Sequence, residues 1–411
     1  MNSKKNYANL NNTKIVNKIN DVTIGEDDRD ILTIASKLNI PGGTTGHVLT
    51  KQDDGSVKFA AGGGGGGGGS GIVNNRIDGD LTIGEDSSEL LVVNSESKFM
   101  NDLDIIGKHK YNAGDEVKTF SGHSGSVYSA FVSGDYLFTG SLDSTAKMWD
   151  ISSGVEVKTF TGHSNGLTSV FVSGDYLFTG SYDTTAKMWD ISTGAYVKTF
   201  SHSGNVYSAF VSGDYLFTGS VDTTAKMWDI STGAEVKTFT GHFSYVNSVF
   251  VSGDFLFTGS YDYTAKMWDI SSGAYVKTFT HANTVSSVFV SDGYLFTGSF
   301  DSTAKMWDIS TGLEVKTFTH SGSGNVYSVF VSGDHLFTGS YDNTAKMWDC
   351  NQNSSTFGDL VKVFTGHSGS VLSVFVSGDF LFTGSNDSTA KMWAINDIKL
   401  GLNAIGESVL K

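Results

Sequence analysis

The chain has 411 residues, 28 Lys and Arg against 43 Asp and Glu, a formal net charge of −15, 39% hydrophobic residues, 50 Gly and one Pro. An acidic surface repels phosphate backbones, which excludes nucleic acid as a partner. The lone cysteine, Cys350, excludes an internal disulfide and a multi-cysteine metal site. No window approaches 18 apolar residues, and the start, MNSKKNYANLNNTKIVNKIN, lacks an apolar core, so neither a membrane span nor a signal peptide is expected. Many Gly beside many aromatics, Thr and Val point to short strands joined by turns, an all-β chain.

In chain order, residues 1–61 come first, and a weak internal repeat links DVTIGEDDRDILTIASKLNI (21–40) to DLTIGEDSSELLVVNSESKF (80–99). Residues 62–71 begin with eight consecutive Gly, Gly62–Gly69, and read either as a flexible linker spanning roughly 16 Å or as a packed Gly-rich element. The run lacks the Lys-Ser/Thr ending of a phosphate-binding loop. Residues 1–61 and 72–112 resemble segments of phage and giant-virus tail-fibre-like proteins. The resemblance implies a β-rich, trimerising, virion-associated segment.

From residue 113 to 394 the chain repeats. Its seven Trp (Trp149, Trp189, Trp228, Trp268, Trp307, Trp348, Trp393) are spaced 40, 39, 40, 39, 41 and 45 residues apart. Each unit holds four strand-like runs, such as VYSAFVS, YLFTGS, TAKMWDI and VEVKTF, separated by turns such as SGD. A unit such as GHSNGLTSVFVSGDYLFTGSYDTTAKMWD (162–190) resembles the WD-repeat β-propeller family. The resemblance implies a seven-bladed propeller of four-stranded blades. The last repeat ends at Trp393-Ala394 without its own VKTF, whereas AGDEVKTFSGH (113–123) precedes the first. Glu116–Phe120 is therefore expected to pair with the strand of Trp393 and close the ring, removing a sheet edge. Residues 395–411 form a tail.

Seven His recur: His123, His163, His202, His242, His281, His320 and His367. Each is followed by an Asp 20 residues on, or 22 in the sixth repeat: Asp143, Asp183, Asp222, Asp262, Asp301, Asp342 and Asp387. His, Asp and a hydroxyl are the parts of a catalytic triad, but seven near-identical copies argue for structure. The family implies a hydrogen-bond chain from Trp through Thr139, Thr179, Thr218, Thr258, Thr297, Thr338 or Thr383 to His and Asp, pairing groups that would otherwise be buried unsatisfied. Repeats 3, 5 and 6 lose the Gly before His, and repeat 6 gains two residues within Ser321–Gly324, so weaker chains are expected there. Repeat 7 has Ala394 where the others have Asp. Met148 and its equivalents, each beside a Trp, are expected to pack between blades, and Cys350 to be a buried small hydrophobe.

The repeats differ most at three positions. One precedes the Asp, and the other two lie at the start of the first strand. In the family these surround the narrow end of the central channel. They would gather Tyr128, Tyr182, Tyr207, Tyr245, Tyr261, Phe300, Tyr327 and Tyr341 on one rim, either to bind a protein or simply to pack the turns together. The expected function is a non-catalytic protein-binding module with no cofactor and no metal, displayed on a fibre-like, homotrimeric segment. The alternative is an intracellular scaffold or substrate adaptor. The expected location is accordingly cytoplasmic or virion-associated.

Overall fold

The β-branched and aromatic runs of the repeats all become strands, and the Ser/Gly/Asp clusters between them become turns. The computed structural model describes residues 109–320, 324–396 and 398–399, with four short strands upstream. Those strands form two antiparallel pairs, His47–Lys51 with Val57–Ala61 and Ile72–Val73 with Arg76–Ile77. The weak repeat at 21–40 and 80–99, the glycine run and the rest of the fibre-like segments lie outside the described residues. The compact unit Tyr111–Asp397 carries all the repeats.

Seven four-stranded antiparallel sheets make up that unit. Blade 1 runs through Val127–Ser133, Tyr136–Ser141, Thr145–Asp150 and Glu156–Thr161, neighbours in space as in sequence. Blades 2 to 6 begin at Leu167, Val206, Val246, Val285 and Val326 and repeat the pattern. Blade 7 takes Val371–Ser377, Phe380–Ser385 and Thr389–Ala394 from the end of the repeats and Glu116–Ser121 from their beginning. Glu116 lies opposite Trp393 and Phe120 opposite Ala390, so the ring closes as expected. Lys391 donates to Glu116 at 2.7 Å across the closure.

The cores sit between blades. Met392, Ala390, Phe382 and Phe120 of blade 7 pack against Trp149, Leu137, Val132 and Val127 of blade 1, and six further clusters repeat this around the ring. Adjacent strand residues point to opposite faces. Met148 therefore meets blade 2 while Trp149 meets blade 7. Gly140 permits the close fit, since a Cβ there would lie 2.8 Å from Val170 of blade 2.

Two rings encircle the axis. The backbone N–H of Ala130 donates to the Ser373 hydroxyl at 3.0 Å, that of Val170 to Ser129 at 3.0 Å, and five more such bonds complete the circle. Just beyond, Phe131, Phe171, Phe210, Phe250, Phe289, Phe330 and Phe375 form a closed heptagon with centroids 4.7–4.8 Å apart. A regular heptagon of that side puts each phenyl about 5.5 Å from the axis, in tilted contacts that aromatic pairs favour.

Phe120 is fully buried, and it belongs to the strand that closes the ring. Phe120→Ala should cost about 3–5 kcal/mol and lower Tm by roughly 10 °C in thermal unfolding. Deleting 115–120 should lower it further, and an unchanged melting curve would show that closure contributes nothing.

Candidate functional site

The site is built on the turns at the end of each blade where the first strand begins. In blade 1 the Trp149 indole N–H donates to Thr139 Oγ1 at 2.8 Å, Thr139 bonds His123 Nε2 at 2.8 Å, and His123 Nδ1 bonds Asp143 at 2.7 Å. An ionised carboxylate only accepts, so Nδ1 carries the proton, Nε2 accepts, and the Thr hydroxyl donates to it. Asp143 also accepts from the backbone N–H of Ser124 and from the N–H and hydroxyl of Thr145. Thr139 is fully buried, so the chain satisfies groups that no water reaches.

The same contacts join His163, Thr179, Asp183 and Trp189 in blade 2 and His202, Thr218, Asp222 and Trp228 in blade 3. They join His242, Thr258, Asp262 and Trp268 in blade 4 and His281, Thr297, Asp301 and Trp307 in blade 5. Blade 7 joins His367, Thr383, Asp387 and Trp393 likewise. Blades 3 and 5 lack the Gly before His, yet their His–Asp bonds are 2.8 Å. In those two blades the expectation of weaker chains is not met. The Gly was an extra residue in the turn. Without it the His202 and His281 N–H groups pair with Thr184 and Tyr263 carbonyls of the preceding blade.

Blade 6 does depart. His320 and Asp342 are 3.3 Å apart, and the buried Lys346 ammonium reaches both, His320 Nδ1 at 3.0 Å and Asp342 at 2.9 Å. In blade 1 the equivalent Lys147 points outward to Glu156 and Thr159 of the fourth strand. Blade 6 has Leu360 and Val363 at those places, so Lys346 turns inward for acceptors. Because Lys only donates, His320 must accept at Nδ1 and carry its proton on Nε2, the opposite tautomer. Thr338 still accepts from Trp348 at 2.9 Å.

Burial raises Asp222, Asp262 and Asp301, but bonds from His and Thr more than offset it and hold all three below the usual carboxylate range. Burial outweighs the partner Asp at His123, His163, His320 and His367 and holds these imidazoles below their ordinary value. Those four imidazoles are therefore neutral at pH 7.

The chain clamps two turns together and leaves their other side chains free. Tyr182 N–H donates to Gly166 at 2.9 Å, and its ring lies between Tyr128, at 6.3 Å, and Tyr207, at 5.6 Å. Across the rim Tyr245, Tyr261, Phe300 and Tyr327 touch in series at 5.4, 6.0 and 5.2 Å. The aromatics thus form two arcs, interrupted where the position before Asp holds Val221, Asn386 or Leu142. Burial, then the neighbouring phenols, raise the phenol pKa of Tyr182, Tyr207, Tyr261 and Tyr327. Tyr341 stands 53% exposed.

Other features were not singled out from sequence. The serine and phenylalanine rings are printed in every SAFVS or SVFVS, but they acquire meaning only once the ring closes. Phe243 and Tyr263 were also missed, although each is aromatic where the other repeats carry Ser, Thr, Asn or Ala. At the opposite end of blades 5 and 6 a recess of about 320 Å³ is lined by Asp292, Tyr294, Phe296, Met306, Asp334 and Cys350 among others. Three irregularities meet there: Asp292-Gly293 in place of Gly-Asp, Cys350 in place of Ile, and a longer turn over 351–358. Burial pushes the Cys350 thiol up to about 12, which makes it inert. No group of three metal-ligating side chains occurs among the described residues.

Seven stretches match the family model described as WD domain, G-beta repeat: 114–150, 154–190, 194–229, 233–269, 273–308, 312–349 and 358–394. No curated protein matches the chain. The crystal structure of the computationally designed Ika8 protein is similar to it, with a TM-score of 0.57 and 24% identity over 69% of this chain and 100% of that one. At that identity the likeness shows the fold alone.

Thr179→Val removes the shared hydroxyl and orphans the Trp189 N–H and the His163 acceptor. It should cost about 1–3 kcal/mol per orphaned group in chemical denaturation. Unfolded histidine takes up a proton below about pH 6.5 while the depressed folded ones stay neutral, so the unfolded state binds more protons. Tm should be level above pH 7, fall as pH drops below about 6.5, and fall faster near pH 4 as the carboxylates join. A flat Tm from pH 7 to pH 5 would contradict the assignment.

Proposed function

The chain belongs to the WD domain, G-beta repeat family, and on that premise we propose that it is a non-catalytic protein-binding module whose aromatic rim docks a protein partner. The observation that carries this is the clamping of the rim turns. Each turn is held by a buried chain that uses every polar group it has, so the aromatics above it contribute nothing to that chain. Rigid aromatics bring large contact area at low entropy cost, and a Tyr keeps a polar tip for a partner's hydrogen bond. Prior contact between rings, as at Tyr128, Tyr182 and Tyr207, lowers the ordering cost of binding further. The His–Asp pairs serve the fold, since all seven blades carry them and each is sealed under its own turn. Residues 1–112 act in this reading as a trimeric, fibre-like display segment.

Alanine at Tyr182, Tyr261 and Tyr341 together should abolish capture of the partner by the immobilised chain while Tm stays within a few degrees. Undiminished capture would refute rim docking. By light scattering the full chain should have the mass of a trimer, and a chain lacking 1–112 that of a monomer. A monomeric full chain would overturn fibre display, favour the scaffold reading and leave the rim untouched.

A further inference from the structure

We propose that blade 4 carries the anchor of this rim, a patch of Phe243, Tyr245, Tyr261 and Tyr263 that takes a Lys or Arg side chain from a basic peptide segment of the partner. The proposal rests on the reading of this face as protein-binding and says where on it, and with what chemistry, the partner is held.

The seven repeats act as internal controls for one another. At the position of Phe243 the other repeats have Ser124, Ser164, Ser203, Ala282, Ser321 and Ser368. At the position of Tyr263 they have Ser144, Thr184, Thr223, Ser302, Asn343 and Ser388. Phe243 is 91% exposed, Tyr263 49%, Tyr245 40% and Tyr261 37%. A phenyl that exposed packs against almost nothing, so the fold gives no reason for it. Tyr263 also has φ of +71°, a conformation in which a bulky side chain is an outlier. The backbone beneath is ordinary: Phe243 N–H donates to Asp262 at 3.0 Å and Tyr261 N–H to the Tyr245 carbonyl at 2.9 Å. The same turn that presents Ser elsewhere presents aromatics here, four of them on two clamped turns, with Tyr245 and Tyr261 already in edge contact at 5.4 Å.

The partner's chemistry follows from charge. None of the fourteen turns on this face contains Lys or Arg, while each blade contributes an Asp. Against the upward pull of burial, bonds from His242 and Thr264 hold Asp262 below the usual carboxylate range, so it is ionised beneath the patch. Aromatic faces and phenol oxygens attract cations, and an acidic field draws them in. The methylene stem of Lys or Arg would lie over Phe243 with its head toward the tyrosines. An acidic peptide or an anionic membrane meets carboxylates around the face, with Asp342 of blade 6 alone paired to a Lys ammonium among the seven described Asp.

A random peptide display library panned against the immobilised full chain tests this. Enriched peptides should carry Lys or Arg beside apolar residues. A synthetic copy should lose at least about tenfold in affinity against the double variant F243S/Y263N, and should weaken as salt rises from about 50 to about 500 mM. The same variant should melt at an equal or higher temperature, because Asn tolerates positive φ. Acidic or unenriched peptides, or equal binding to the variant, would overturn the proposal. So would Phe243-dependent flotation with phosphatidylcholine vesicles in place of a peptide preference. Peptides sensitive to Tyr182→Ala but not to F243S/Y263N would overturn the blade 4 anchor and leave rim docking standing. Peptides indifferent to both would remove rim docking as well.

Discussion

One buried hydroxyl per blade, Thr139 in blade 1 and its counterpart in each of the others, lies where the Trp, the His and the second strand meet. It accepts from an indole that can only donate and, outside blade 6, gives its proton to an imidazole whose other nitrogen must serve a carboxylate; in blade 6 Thr338 accepts from both Trp348 and His320. Serine could supply the same atom, but the threonine methyl adds packing in a place no water reaches. From that oxygen outward each bond fixes the next: imidazole orientation, carboxylate position, then the two turns the carboxylate gathers. The rim is where the series ends, and its side chains are free because nothing in the series needs them.

Blade 6 shows what the series depends on. Its hydrogen-bond chain differs because Leu360 and Val363, on the outermost strand, offer no acceptor to Lys346. The ammonium then enters the core of the blade and reverses the imidazole's proton. A substitution of two surface residues is thus felt at a buried histidine, through a lysine long enough to choose sides. The interior tolerates this because Asp342 remains ionised and accepts from Lys346 and from the N–H and hydroxyl of Thr344. A lone buried ammonium would be far costlier.

The propeller was legible because its period, its four runs and its Trp–Thr–Asp frame recur at fixed spacing, and each has a local cause. The closing strand was legible for a related reason: a VKTF stood before the first repeat and none followed the last. What was not legible depended on partners far apart in sequence. Seven Ser and seven Phe at equivalent positions say nothing of contact until the strands are set around an axis. The intact chains of blades 3 and 5 were not legible, because loss of the Gly reshapes the turn and only the folded turn shows the His N–H paired with a carbonyl of the preceding blade. Phe243 and Tyr263 were legible in principle. A turn position that is Ser, Thr or Asn six times and Tyr once is a signal in itself, and averaging it as a turn preference hid it.

Ring closure also sets a timetable. Glu116 and Lys391 meet across 275 residues of chain. At synthesis rates of roughly 5–20 residues per second the strand Glu116–Ser121 waits about 15–55 s before its partner exists. Throughout that wait it is an open edge, able to pair with any sheet that lacks a fourth strand. Its core sequence EVKTF is printed again in Glu156–Phe160, Glu235–Phe239 and Glu314–Phe318. Two chains emerging side by side therefore hold interchangeable fastenings, and an exchange would give a strand-swapped dimer with every native hydrogen bond intact. The repetition that lets one short motif specify a whole ring leaves the ring with no private key for its own clasp.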